Sequence, residues 1–256
     1  MTRFPSLPQI MVAPNGARKT KADHPALPMT KAEIVTCARD CFAAGADGLH
    51  LHIRDAEGGH LLDVGTYRDV LGAVKAAVPD MAVQITTEAV GIYAPEVQKR
   101  VALEVGADLV SVSIAEMCRD GEEGARVFYE DCAAKGIAIQ HILYDRKDGE
   151  LLARVLPESL LRDPSLQLLF VLGRYSEGQV SQPSELQPFL DWLADAGLTP
   201  DWGLCAFGPH ETDCLVAAHQ AGGKCRIGFE NSFFMADGSI APDNAARVAE
   251  LVSRLG

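Results

Sequence analysis

Two histidines one residue apart, His50-Leu51-His52, close the apolar run GLHLHIRD. On a strand, side chains alternate between faces, so both imidazoles point the same way and make half of a metal site. A third donor is available in KCRIGFEN, whose Glu230 is a carboxylate that is costly to bury without a cation or hydrogen-bond donors. Two neutral imidazoles and one carboxylate suit Zn²⁺ and leave positions for substrate or water; the same ligand types accommodate Mn²⁺ or Fe²⁺. The plainer alternative is one histidine hydrogen-bonded in the core and the other at the rim.

Other polar residues cluster in comparable places. Arg226 lies four residues before Glu230, an even spacing that on a strand gives a shared face, and a buried guanidinium requires an anion. In QITTE, Thr86 and Glu88 end one strand, and Ser111 ends the next with Ser113; inward hydroxyls there can orient a carboxylate or enolate, or simply be satisfied in the core. Glu88 and Glu116 can select a polar substrate or stand at an exposed rim. The loop Asn15-Gly16-Ala17-Arg18 offers an amide, a tight turn and a guanidinium able to hold a carboxylate bidentately.

These residues must be carried by some scaffold, and the hydrophobic periodicity supplies one. Short apolar runs (IMVAPN, GLHLHIRD, MAVQITTE, ADLVSVS, IAIQHILY, LQLLFVLG, DWGLCAFG, KCRIGFEN) alternate with amphipathic segments, eight of each. Thr30 with Glu33 three residues on makes a capping box for the first helix, and Gly45 stops it. Near-continuous apolar strands indicate an all-parallel sheet buried on both faces. A single (β/α)₈ TIM barrel over residues 1–256, one domain, fits best; a doubly wound open sheet competes, but no GxGxxG or GxxxxGK[ST] follows the first strand. In a closed barrel, strands two and eight flank strand one, so His50, His52 and Glu230 converge, with the 15–18 loop over them.

Composition narrows the partners. Of 256 residues, 48% are hydrophobic and the formal net charge is −12, with no basic run able to follow a phosphate backbone, so nucleic acid is not expected. Arg18, Lys19 and Lys21 form the nearest basic cluster, a solvated loop or a local anion site. Seven scattered cysteines without a CxxC pair read as reduced core residues. MTRFPSLPQIMVAP lacks the apolar stretch of a signal peptide and no segment is long enough to span a bilayer, so a cytoplasmic protein without membrane partners is expected.

The blocks APNGARKTKADHPALPMT, AGADGLHLHIRD, VQITTE, FVLG and CRIGFEN, in this order over nearly the whole chain, resemble the β-keto acid cleavage enzyme family, of the 3-keto-5-aminohexanoate cleavage type. The resemblance implies a (β/α)₈ fold and Zn²⁺ held by His50, His52 and Glu230, the set reached above. It implies an acetyl-CoA:β-keto acid C-acetyltransferase: a β-keto acid condenses with acetyl-CoA, and retro-Claisen cleavage gives acetoacetate and a new acyl-CoA. Acetyl-CoA as co-substrate and a homotetramer rest on the resemblance alone. It also implies catalytic roles for Arg226, Thr86 and the position of Asn231. Here the chain departs, since members carry an Asp at that position; without that carboxylate the general base is open, and Arg226 reads as an electrostatic stabiliser. Asn15, Arg18, Ser111 and Glu88 are the substrate-binding candidates, with Arg18 favouring an anionic or strongly polar substrate tail. A metal-dependent barrel hydrolase or aldolase that uses the same three ligands without acetyl-CoA is the alternative enzyme, and a barrel that binds a keto acid or CoA without turnover the non-enzymatic one.

Overall fold

In a computed structural model, which describes residues 3–256, eight parallel strands close into a barrel. They are β1 (Ile10–Val12), β2 (Gly48–Leu51), β3 (Ala82–Thr86), β4 (Leu109–Ser113), β5 (Ala138–Leu143), β6 (Gln167–Leu172), β7 (Asp201–Ala206) and β8 (Lys224–Ile227). Each pairs with its neighbour in sequence, and β1 closes the ring by pairing with both β2 and β8. Outside run eight main helices: α1 (Lys31–Ala43), α2 (Val64–Ala77), α3 (Pro95–Glu104), α4 (Glu122–Ala134), α5 (Arg146–Val155), α6 (Gln187–Ala196), α7 (Glu211–Gln220) and α8 (Asn244–Leu255).

Local chemistry sets these boundaries. Thr30 accepts from the Glu33 backbone N–H while the Glu33 carboxylate accepts from Thr30 N–H, which closes the expected capping box. Asp63, Asp145 and Asp243 cap α2, α5 and α8 with a single bond each, their carboxylates accepting from the N–H of Thr66, Asp148 and Ala246. Gly45, at φ +109°, turns the chain from α1 into β2, the strand that carries both histidines. Outward-facing strand residues such as Leu49, Leu51, Val110 and Leu168 pack with helix residues such as Ile34, Tyr67, Val101 and Val248 in one continuous core.

Several strands end earlier than the sequence reading, most of all β8 and β2. β8 stops at Ile227, because Gly228 takes φ +142° and a Cβ there would lie 2.4 Å from the Ala13 carbonyl oxygen. Glu230 therefore sits in a turn, closed by Asn231 and Ser232 N–H groups donating to Gly228 O, and is tied to β1 by its own N–H on Ala13 O. β2 ends at Leu51, and beyond His52 the chain forms an unanticipated two-residue antiparallel ribbon, Ile53–Arg54 against His60–Leu61. Among the described residues no helix is long and apolar enough to cross a membrane. All seven cysteines are free, five of them buried.

Candidate metal centre and active site

At the C-terminal end of the barrel, His50 Nε2 and His52 Nε2 lie 3.1 Å apart, and each is 3.6 Å from Glu230 Oε2. Edges of this length are near the ~3.4 Å edge of a tetrahedron with bonds of about 2.1 Å, the bond length of zinc to these ligand types. Glu230 Oε2 is buried and has no hydrogen-bond partner. Burial pushes His50 down to about 4, with the Arg226 charge adding to it, and pushes His52 well below its ordinary value, so both imidazoles are neutral at pH 7. Burial works to raise the Glu230 carboxyl, but Arg226 foremost, with His50, Arg174 and Lys19, outweighs it and holds Glu230 below the usual range. Two neutral nitrogens and an ionised, partner-free oxygen converging on one point fit a divalent metal such as Zn²⁺.

The orientation of His50 follows from a directional chain of amides. The Leu168 carbonyl can only accept, so it takes Gln140 Nε2–H at 3.3 Å. Gln140 Oε1 then accepts from Gln84 Nε2 at 2.8 Å, and Gln84 Oε1 faces His50 Nδ1 at 2.7 Å. The proton of His50 is thereby placed on Nδ1, leaving the Nε2 lone pair to face the centre. His52 Nδ1 has no such partner.

The 15–19 loop forms one wall. Gly16, at φ +58°, lies so close that a Cβ would sit 2.6 Å from Glu230 Cγ, which only glycine permits. Arg54 holds this loop from below by donating to the carbonyls of Gly16 and Lys19, and Asn15 Nδ2 donates to Pro28 O at 2.9 Å. Lys19 Nζ donates to the carbonyls of Phe229 and Glu230 and lies 4.4 Å from the Phe233 ring centre; burial lowers its pKa.

A pocket of about 730 Å³, counted to its open mouth, contains the three converging side chains and is also lined by Asn15, Arg18, Thr86, Glu88, Arg174 and Arg226. Arg226 contributes one N–H to Glu230 Oε1 and one to Cys205 Sγ, each at 3.4 Å, while its Nε and Nη1 remain buried without partners. Thr86 Oγ1 accepts from Glu88 N–H at 3.0 Å, which leaves its hydroxyl proton free to donate. Glu88 Oε1 meets Arg174 Nη2 at 3.2 Å; burial, with Glu230 adding to it, raises the carboxyl to about 7. Arg18 is exposed at the mouth.

Several expected positions fall elsewhere. Ser111 is buried in β4 and does not line the pocket. Neither does Asn231, whose buried amide has no partner and sits beside the Cys205 thiol. Lys21 turns away to Glu33 and to the carbonyls of Pro25 and Leu27, and Glu116 is occupied by Ala89 N–H and Gln98. Arg226 and Glu230 do meet, through the turn after β8 rather than through strand alternation. Arg174, Tyr144 and Phe207 line the pocket without having been singled out; their positions at or just after the ends of β5, β6 and β7 were the available signal.

Comparison with known proteins agrees with this geometry. The family model described as beta-keto acid cleavage enzyme matches residues 9–255. The chain belongs to the β-keto acid cleavage enzyme family. Among curated members of that family's kind it is 26% identical, over 94% of its length and 89% of the relative's, to a 3-keto-5-aminohexanoate cleavage enzyme of Fusobacterium nucleatum subsp. nucleatum. It is 23% identical to a 3-oxoadipate:acetyl-CoA acetyltransferase of Cupriavidus necator, over 95% and 87% of the two chains. A solved ternary complex of ObcA with a C4-CoA adduct and oxalate shares the fold, with TM-score 0.74 and 17% identity over 92% of this chain. This β-keto acid cleavage family chain spans 65% of that protein's length.

Proposed function

We propose that the protein is a zinc-dependent acetyl-CoA:β-keto acid C-acetyltransferase: a β-keto acid and acetyl-CoA give acetoacetate and a new acyl-CoA. The observation that carries this reading is the His50–His52–Glu230 triad in a pocket that Arg226, with two buried partner-free nitrogens, also lines. His50, His52 and Glu230 would hold the ion, which supplies positive charge beside the keto and carboxylate oxygens and so acidifies the carbon between them. Family membership and the named activities of the two curated relatives support the reaction class.

The chain's own residues divide the remaining work. Arg226 donates Nε–H and Nη1–H to oxygen that gains charge as the carbon–carbon bonds form and break; left unmet, each such buried donor costs about 1–3 kcal/mol, so the site is built to be filled by an anion. Thr86 donates its free hydroxyl to a substrate oxygen and fixes its rotation. Arg18 meets the substituent that differs between β-keto acids and favours one bearing a negative or strongly polar tail. Gly16 and the loop held by Arg54 close one side, and the Phe207, Val171 and Ile142 side chains of the opposite wall keep water from the reacting carbons. A homotetrameric, cytoplasmic enzyme belongs to the same reading and is carried from the family alone.

Incubation of zinc-loaded protein with acetyl-CoA and a panel of acidic, basic and neutral β-keto acids, followed by mass spectrometry, tests it. Acetoacetate and a matched new acyl-CoA are expected with at least one panel member. Cleavage that proceeds equally without acetyl-CoA would assign the site to a hydrolase or aldolase instead.

A further inference from the structure

Condensation begins when a proton leaves C2 of the β-keto acid, and something in the pocket must take it. The titratable side chains that line the pocket are few. His50, His52 and Glu230 are turned to one another, Arg18, Arg174 and Arg226 are guanidiniums with no basic lone pair, and Tyr144 is pushed well above its ordinary pKa by burial, with Tyr175 adding to it. Lys19 spends its ammonium on two carbonyls and a ring face. Asn231 is an amide and lies outside the lining. One carboxylate remains.

We propose that Glu88 is the general base, and then the acid, of the C-acetyl transfer; this rests on the reaction proposed above. Its position is fixed from two sides: its backbone N–H is held by Thr86 Oγ1 at 3.0 Å and its carbonyl by His60 Nε2 at 2.8 Å, while Arg174 engages one carboxylate oxygen at 3.2 Å. Burial makes it more basic than an exposed glutamate, which matches its task at neutral pH. The groups facing it are Arg174 after β6, Glu230 after β8, Glu116 after β4, Arg18 after β1 and Tyr144 after β5, with Arg54 behind the 15–19 loop.

The proton balance closes on this one residue. Glu88 carboxylate takes the C2 proton, and the C–H pair becomes an enolate that attacks the acetyl carbonyl and expels CoA thiolate. The thiolate adds to the original keto carbon, the C2–C3 bond breaks, and the new acyl-CoA forms. The electron pair left on C2 belongs to the acetoacetate enolate, which takes the proton back from neutral Glu88. No proton is gained or lost over the cycle.

The test is Glu88→Gln, with Glu88→Asp as the variant that keeps a carboxylate, both checked for zinc content and thermal unfolding. Loss of a positioned base costs roughly 10²- to 10⁴-fold in rate. For Glu88→Gln, that loss in kcat is expected with zinc retained and KM little changed, and Glu88→Asp should recover part of it. In wild type, kcat/KM should rise with pH through an ionisation at or below about 7, since a cation at the triad stabilises the carboxylate, and Glu88→Gln should lack that limb. A Glu88→Gln enzyme within threefold of wild type, or with the limb intact, overturns the assignment. A second readout separates it from the overall reaction: deuterium uptake from D₂O into C2 of a β-keto acid without acetyl-CoA, above the protein-free rate. Uptake in wild type that Glu88→Gln abolishes supports the base even if no acyl-CoA is ever formed, and equal uptake in both overturns it even if acyl transfer is confirmed.

Discussion

The two ends of the barrel treat their polar groups in opposite ways. At the N-terminal end, Asp47 and Asp201 are spent on backbone and on a cation. Asp47 accepts from the N–H groups of Gln9 and Ile10, and Asp201 accepts from Leu7 N–H and pairs with Lys224. Gln167 Nε2 holds Pro5 O, and Leu7, Met11, Leu109 and Ala138 pack over the opening. At the C-terminal end, buried polar atoms are left without partners: Asn15 Oδ1, His52 Nδ1, Glu230 Oε2 and two nitrogens of Arg226. Unmet buried groups cost stability; the N-terminal end leaves Gln167 Oε1 without a partner, whereas the C-terminal end gathers several such atoms around one pocket, which marks where the molecule expects a ligand.

Mutations at the two ends should therefore separate function from stability. The largest effect is expected from His50→Ala or Glu230→Ala: zinc measured by atomic spectroscopy should fall to background and activity with it. Stoichiometric zinc in both variants would break the ligand set. Gln84→Leu keeps all three ligands and removes the amide that places the His50 proton, so zinc affinity by competition with a chelator should weaken about 10- to 100-fold. At the opposite end, Asp201→Ala should lower the unfolding free energy by about 1–3 kcal/mol in denaturant titration, with zinc and kcat unchanged. A fall in kcat there would show that the ends are coupled. The smallest change is expected at exposed Arg18: Arg18→Glu should raise KM for acidic β-keto acids by roughly tenfold or less and lower it for basic ones, because a solvated charge pair contributes about 1 kcal/mol or less.

What could be read from the sequence follows the same division. The eight-fold alternation and the HxH half-site were legible because strand and helix periods are local properties, and the third ligand followed from strand adjacency in a closed ring. Strand alternation puts Arg226 and Glu230 on a shared face, yet their pairing arises from a turn that depends on the close approach of Gly228 to Ala13 O, which no spacing encodes. Ser111 lies inside β4, whose end matches the sequence reading, yet does not reach the pocket, and Asn231 lies four residues beyond the end of β8, in the turn set by Gly228. The Gln84–Gln140 relay and the Glu88–Arg174 pair join residues 56 and 86 positions apart, so only the folded chain brings them together.

In the proposed reaction an acetyl group moves from sulfur to the C2 carbon of a β-keto acid. Acetyl-CoA labelled with ¹³C in both acetyl carbons, incubated with zinc-loaded enzyme and its β-keto acid, tests it in one spectrum. Label is expected at C3 and C4 of acetoacetate, with an unlabelled acyl group on the new thioester. Label that stays on CoA or appears as acetate, while the β-keto acid is cleaved, would contradict it.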